Sequence, residues 1–276
     1  MAESANKNLA VRFASAGVGG PLILGILYFG PPWAWFTFLF LATGVGAWEL
    51  FEMGFPEDVT ARITATLMTL GVALTTWLYG HDARVLLAVL LAVPLFAQLL
   101  VLWRLGEIPN AALRVTTTAF GTIWLGVGMT AMAILRREGG EDGPGFVVLA
   151  LMLSWLSDTG AYFAGRFLGK AKLYPAVSPK KTRAGAVGGI GGAVAGALLA
   201  HFLFLKSLPL THALALALVA GALGQVGDLG ESLLKRSFGV KDSGGIVPGH
   251  GGILDRIDAL LVTSGFCCLY VMFVRM

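Results

Sequence analysis

Residues 85–103 read VLLAVLLAVPLFAQLLVLW, with no charged side chain. A helix needs about 20 mostly apolar residues to cross the hydrocarbon layer of a bilayer, and this run supplies them. A membrane-spanning strand would alternate apolar and polar residues over about 10 positions, which this run does not do. Similar runs begin near Ala14, Trp35, Ile63, Val85, Val115, Phe146, Ala184, Thr211 and Ile253. The chain therefore reads as an all-α, polytopic integral membrane protein with about nine transmembrane helices. Composition agrees: of 276 residues, 56% are hydrophobic and 13% charged, where soluble domains carry roughly 25% charged residues.

Gly30-Pro31-Pro32 separates the first two runs as a tight turn. The N-terminal MAESANKNLAVRF lacks the short apolar core and cleavage site of a signal peptide, so the first helix is expected to stay. Cys267 and Cys268 are adjacent within the last run and read as small apolar packing residues.

Lysine and arginine in short loops set orientation. Arg166, Lys170, Lys172, Lys180, Lys181 and Arg183 fall in one loop, Lys235, Arg236 and Lys241 in another, and Lys7 and Arg12 at the N-terminus. Nine spans put all three on one side, expected to be the cytoplasm. The acidic REGGEDGP then falls opposite. The first five spans, residues 1–143, read as scaffold, and the last four, residues 144–276, hold most of the unusual polar residues. Gly188, Gly192 and Gly196 recur every four residues, a spacing that lets helix backbones approach closely in lipid; a phosphate-cradling loop is the weaker alternative, since no charged anchor follows.

An ionisable residue at membrane depth is costly and marks a cavity or a partner. Ser154, Asp158, Tyr162 and Arg166 recur every four residues and so share one helix face. They fit either a salt-bridged stripe between helices or the lining of an active cavity. The following AVSPKKTRAG is read as a loop, with Pro179 fixing a turn before Lys180, Lys181 and Thr182. Its cations fit a topology signal or a phosphate contact equally. The eighth span ends with Asp228 and Glu231 one turn apart, with Ser232 and Lys235 on the same side.

The stretch KDSGGIVPGHGGILDRID, from Lys241 to Asp258, completes the set. Gly251 and Gly252 could bring backbone N–H groups to an anion at the start of the ninth helix, where the dipole favours negative charge. Asp255 and Asp258, three apart, share a face. With Asp228 they form a group of carboxylates amid Lys235, Arg236, Lys241 and Arg256. Carboxylates with no cysteine nearby and one histidine suit a hard cation such as Mg²⁺, bound together with phosphates, better than zinc.

The run SLLKRSFGVKDSGGIVPGHGGILDRID, Ser232 to Asp258, closely resembles the signature of phosphatidate cytidylyltransferases, or CDP-diacylglycerol synthases. DTGAYFAGRFLGK and SPKKT are similar to that family's second conserved region, so the resemblance covers the last four spans. Ala184 stands where the family usually has a polar or acidic residue, and Val247 where a larger aliphatic is common. The resemblance implies transfer of a cytidylyl group from CTP to phosphatidic acid, giving CDP-diacylglycerol and pyrophosphate, with Mg²⁺ as cofactor, as one or two divalent ions with or without a monovalent cation. It implies a bacterial inner-membrane enzyme whose site faces the cytoplasm, a homodimer, lipid contact and no nucleic-acid partner.

On that basis Asp228, Asp255 and Asp258 would hold the metal. Lys235, Arg236, Lys241 and Arg256 would meet the triphosphate or the lipid phosphate, and His250 would donate to a phosphate. Ser178, Lys180, Lys181 and Thr182 would close the site from the other loop, beside Asp158, Tyr162 and Arg166. Two other readings compete. A CTP-dependent polyprenol or other lipid kinase would release CDP in place of pyrophosphate, and an ion-coupled transporter using Asp158 and Asp228 would need no CTP.

Overall fold

The computed structural model describes residues 19–244 and 251–275. The start of the first span and the whole N-terminal basic segment, with Lys7 and Arg12, lie outside them, as do Val247 and His250. Nine α-helices run through the described residues. They are α1 Gly19–Phe29, α2 Pro32–Gly54, α3 Val59–Tyr79, α4 Ala83–Trp103, α5 Ile108–Glu138, α6 Gly143–Leu168, α7 Arg183–Leu203, α8 Leu210–Ser237 and α9 Leu254–Tyr270. Eight are long and apolar enough to cross a membrane, the last counted through Arg275, and α1 is a shorter apolar helix. The protein is a polytopic, all-α membrane protein.

Local chemistry sets the helix boundaries. Pro31 and Pro32 open α2 at the expected turn, because proline fits the first turn of a helix, where its missing N–H is not needed. Asp58 caps α3 by accepting the Ala61 N–H at 3.0 Å. Asp82 caps α4 by accepting from Arg84 at 2.8 Å, and Thr182 caps α7 by accepting from Gly185 at 3.0 Å. Each satisfies an N–H group that the helix itself cannot. On α4, Leu87, Leu91, Leu95 and Leu99 recur every four residues and are exposed, forming a face for lipid tails.

The segment between α6 and α7 differs from the loop expected. Strands β1 Lys172–Tyr174 and β2 Ser178–Thr182 pair antiparallel, with Lys172 opposite Thr182 and Tyr174 opposite Ser178. Pro179 thus lies within β2, not at a turn. A two-stranded sheet leaves the outer edge of each strand unpaired, and proline is tolerated there.

Glycine brings α6 and α7 together, as the four-residue spacing foresaw. A Cβ at Gly188 would stand 2.2 Å from that of Ala164, and one at Gly192 would stand 2.0 Å from the Leu156 carbonyl oxygen. Neither position can hold a side chain without separating the helices. The buried apolar core is continuous from Leu27 of α1 to Val271 after α9. Within it Gly46 of α2 faces Ile257 of α9, and Gly128 of α5 faces Leu261.

Candidate active site

The C-terminal ends of α6 and α8, the hairpin and the N-terminal end of α9 meet at one end of the bundle. A cavity of about 400 Å³ opens there, lined by Asp158, Tyr162 and Arg166 of α6, Lys180, Lys181 and Thr182 of β2, and Gln225 and Asp228 of α8. Three residues of the four-residue stripe on α6 thus line a cavity, while Ser154 is buried within the bundle. Arg166 donates to the Tyr162 hydroxyl at 2.8 Å. Lys181 bridges from the hairpin to Asp228 at 2.6 Å, and Gln225 donates to the Ala186 carbonyl at 3.0 Å. Lys180 is exposed beside the cavity.

One turn further along α8 lies a denser knot of charge. Glu231 is 1% exposed and pairs with Lys235 at 2.5 Å. Lys235 also pairs with Asp255 of α9, and Asp255 accepts the Ser243 N–H at 3.3 Å. Two carboxylates, one from each helix, therefore share one buried lysine. Asp258, the next α9 carboxylate, faces elsewhere: Asp228, Glu231 and Asp158 are its electrostatic neighbours, and its Oδ1 accepts the Ala259 N–H at 2.7 Å. Arg256 and Lys181 are electrostatic neighbours of Asp158.

The remaining expected residues divide. Arg236 donates to the Val240 carbonyl at 2.8 Å, which ties down the segment leaving α8, while Lys241 is exposed. Ser178 pairs across the hairpin with Tyr174. His250 lies outside the described residues. The anion expected at the start of α9 is supplied by the protein itself: Glu49 of α2 accepts the Leu254 N–H at 3.0 Å. A phosphate cannot take that N–H while the carboxylate holds it.

Among the described residues no three His, Cys, Asp or Glu side chains are gathered closely enough to hold a metal. The donor type, though not the spacing, suits a hard cation: Asp228, Glu231 and Asp158 bear electrostatically on Asp258, and carboxylate oxygens are the ligands such an ion takes. Asp228 is engaged by Lys181 and Asp255 by Lys235, so among the described residues Asp258 is the carboxylate of the three with no lysine partner.

A family model described as "Cytidylyltransferase family" matches residues 10–274. The chain belongs to the cytidylyltransferase family. Over 158 residues it is 40% identical to a phosphatidate cytidylyltransferase of Brucella suis, covering 55% of this chain and 56% of that protein. Over 130 residues it is 44% identical to the phosphatidate cytidylyltransferase of Bacillus subtilis, covering 47% and 48% of the two chains. The chain spans about half the length of the curated relatives it matches. Two residues here stand outside the sequence motifs: Gln225, which lines the cavity, and Glu49. An acid inside the apolar run AWEL was the available signal for Glu49.

Proposed function

We propose that this chain transfers the cytidylyl group of CTP to phosphatidic acid, giving CDP-diacylglycerol and pyrophosphate. One observation carries the reading: two elements, α6 and β2, put Arg166, Lys180 and Lys181 around a cavity that Asp158 and Asp228 also line. A nucleoside triphosphate beside a lipid phosphate needs that combination of cations, and the relatives bearing the name phosphatidate cytidylyltransferase agree with it. A transporter would not need a cationic hairpin over its carboxylates.

The phosphatidate oxygen is already anionic near neutral pH, so no protein base is required to create the nucleophile. The chain's contribution is in-line positioning and neutralisation of charge at the α-phosphorus and the departing pyrophosphate. Lys180, Lys181 and Arg166 receive phosphate oxygens. When triphosphate binds, Lys181 exchanges Asp228 for phosphate and frees that carboxylate. Asp228 and Asp258 would hold a divalent cation, Mg²⁺ by the hardness of the donors, and that ion supplies charge neutralisation on the triphosphate. Asp255 keeps Lys235 in place between the helices, and Lys241 reaches the phosphates from outside. The cationic end faces the cytoplasm of a bacterial inner membrane by the distribution of lysine and arginine; assembly as a homodimer rests on resemblance alone.

The test is pyrophosphate release by purified protein given phosphatidic acid and CTP, with magnesium and with excess chelator. Asp258→Asn and Asp228→Asn are each expected to lower kcat by about 100-fold or more while melting temperature holds, since each removes charge stabilisation that the transfer step uses. Wild-type turnover in Asp258→Asn, or full activity in chelator, contradicts the assignment.

A further inference from the structure

Glu49 ends the membrane crossing of α2 in the half of the chain that reads as scaffold, and its side chain is fully buried. Its Oε2 accepts the Leu254 N–H at 3.0 Å across 205 residues of sequence. That N–H belongs to the first turn of α9, whose leading donors have no partner within the helix. A negative charge there is also favoured by the helix dipole.

Two glycines are pressed onto the same carboxylate. A Cβ at Gly252 would stand 2.8 Å from Oε2, and one at Gly244 would stand 2.8 Å from Oε1. Both ends of the glycine-rich stretch are therefore seated on Glu49. Its Oε1 and the Ser243 Oγ beside Gly252 are buried with no hydrogen-bond partner among the described residues. Burying a carboxylate that is only half satisfied is costly, so packing alone is a poor reason for an acid at this position. An aliphatic residue would fill the same space more cheaply.

We propose that Glu49 is a positioning residue for the transfer site. It anchors the first turn of α9 and both flanks of the glycine-rich stretch to the N-terminal half. It thereby fixes where Asp255 and Asp258, at the first and second turns of that helix, project. The acid acts through the backbone of α9 and touches no substrate.

Three variants in detergent test this: Glu49→Ala, Glu49→Gln and Gly252→Ala. Hydrogen exchange at the start of α9 is measured beside kcat, both KM values and melting temperature. The kinetic arm rests on the cytidylyl-transfer reading, whereas the exchange arm does not. In Glu49→Ala the amides around Leu254 exchange several-fold faster, and kcat falls by about 100-fold, the scale of an ångström of misplacement, with little change in either KM. Glu49→Gln, whose amide oxygen can still accept from Leu254, recovers much of both. Gly252→Ala keeps the acid, drives a methyl group against the Ser243 hydroxyl and the carboxylate, and reproduces the kcat loss.

Unchanged exchange at the start of α9 in Glu49→Ala overturns the proposal. So does a lowered melting temperature with wild-type kcat. Should Glu49→Ala fail to fold, wild-type kcat in both other variants overturns it. Faster exchange in a protein that never transfers cytidylyl groups supports the anchor and defeats the transfer reading instead.

Discussion

Lys235 holds two acids at once, Glu231 one turn back on α8 and Asp255 across on α9. Lys235→Met would leave Glu231 almost wholly buried with no counter-charge. Breaking a buried pair in this way costs about 3–5 kcal/mol, so the expected result is a large drop in melting temperature. An unchanged melting temperature would mean that water reaches Glu231. Lys181 is different, since its partner Asp228 lines an open cavity. Lys181→Ala is expected to raise the KM for CTP and leave stability nearly intact, as read by steady-state kinetics and thermal melts.

Most residues of the candidate site were legible because one rule, that charge at membrane depth has a use, picks out Asp158, Asp228, Asp255 and Asp258. Glu49 obeys the same rule. It escaped because Glu52 follows it at the end of an apolar run, a pattern shared by any helix emerging into water. Its true partners, Gly252 and Leu254, lie about two hundred residues away, and no local pattern announces them. The pairing of Asp255 with Lys235, and not with Asp228, depends likewise on how α9 is rotated against α8.

At the scale of elements, helix positions followed from hydrophobic length, so the start of α8 is Leu210 against an expected Thr211. The hairpin did not, because strands of three and five residues are too short to show alternation, and SPKKT carries a proline that usually signals a turn. The α6–α7 seam controls the cavity, since α6 supplies one wall and β2 runs directly into α7. Gly192→Leu is expected to cost about 1–3 kcal/mol through overpacking and to lower activity as well, measured by melting temperature and turnover; wild-type values in both would show that the seam can open freely.

The connecting segments carry a pH signature of their own. Arg104 donates to both oxygens of Asp58, at 2.8 and 3.1 Å, and holds its carboxyl below the ordinary value. A depressed carboxylate contributes stability that is present above its unfolded pKa and lost as pH falls through the folded one. Wild type should therefore lose melting temperature on acidification below the usual carboxylate range. Asp58→Asn should start lower and lose less over the same interval. Parallel curves would show that the pair contributes nothing.

Across the whole molecule, the two halves share one core and one site. The N-terminal half is joined to the chemistry through Glu49 and through the packing of α2 and α5 on α9. The cationic hairpin, the carboxylates of α8 and α9, Gly244 and Gly252 all lie at the same end of the bundle, where the proposed reaction would bring a soluble nucleotide to a lipid headgroup. The most direct measurement supplies CTP labelled at either the α- or the γ-phosphorus together with phosphatidic acid, and follows the label into lipid. Label from the α position should enter the lipid while γ label leaves as pyrophosphate. Label from the γ position in the lipid, with CDP released, would contradict the account.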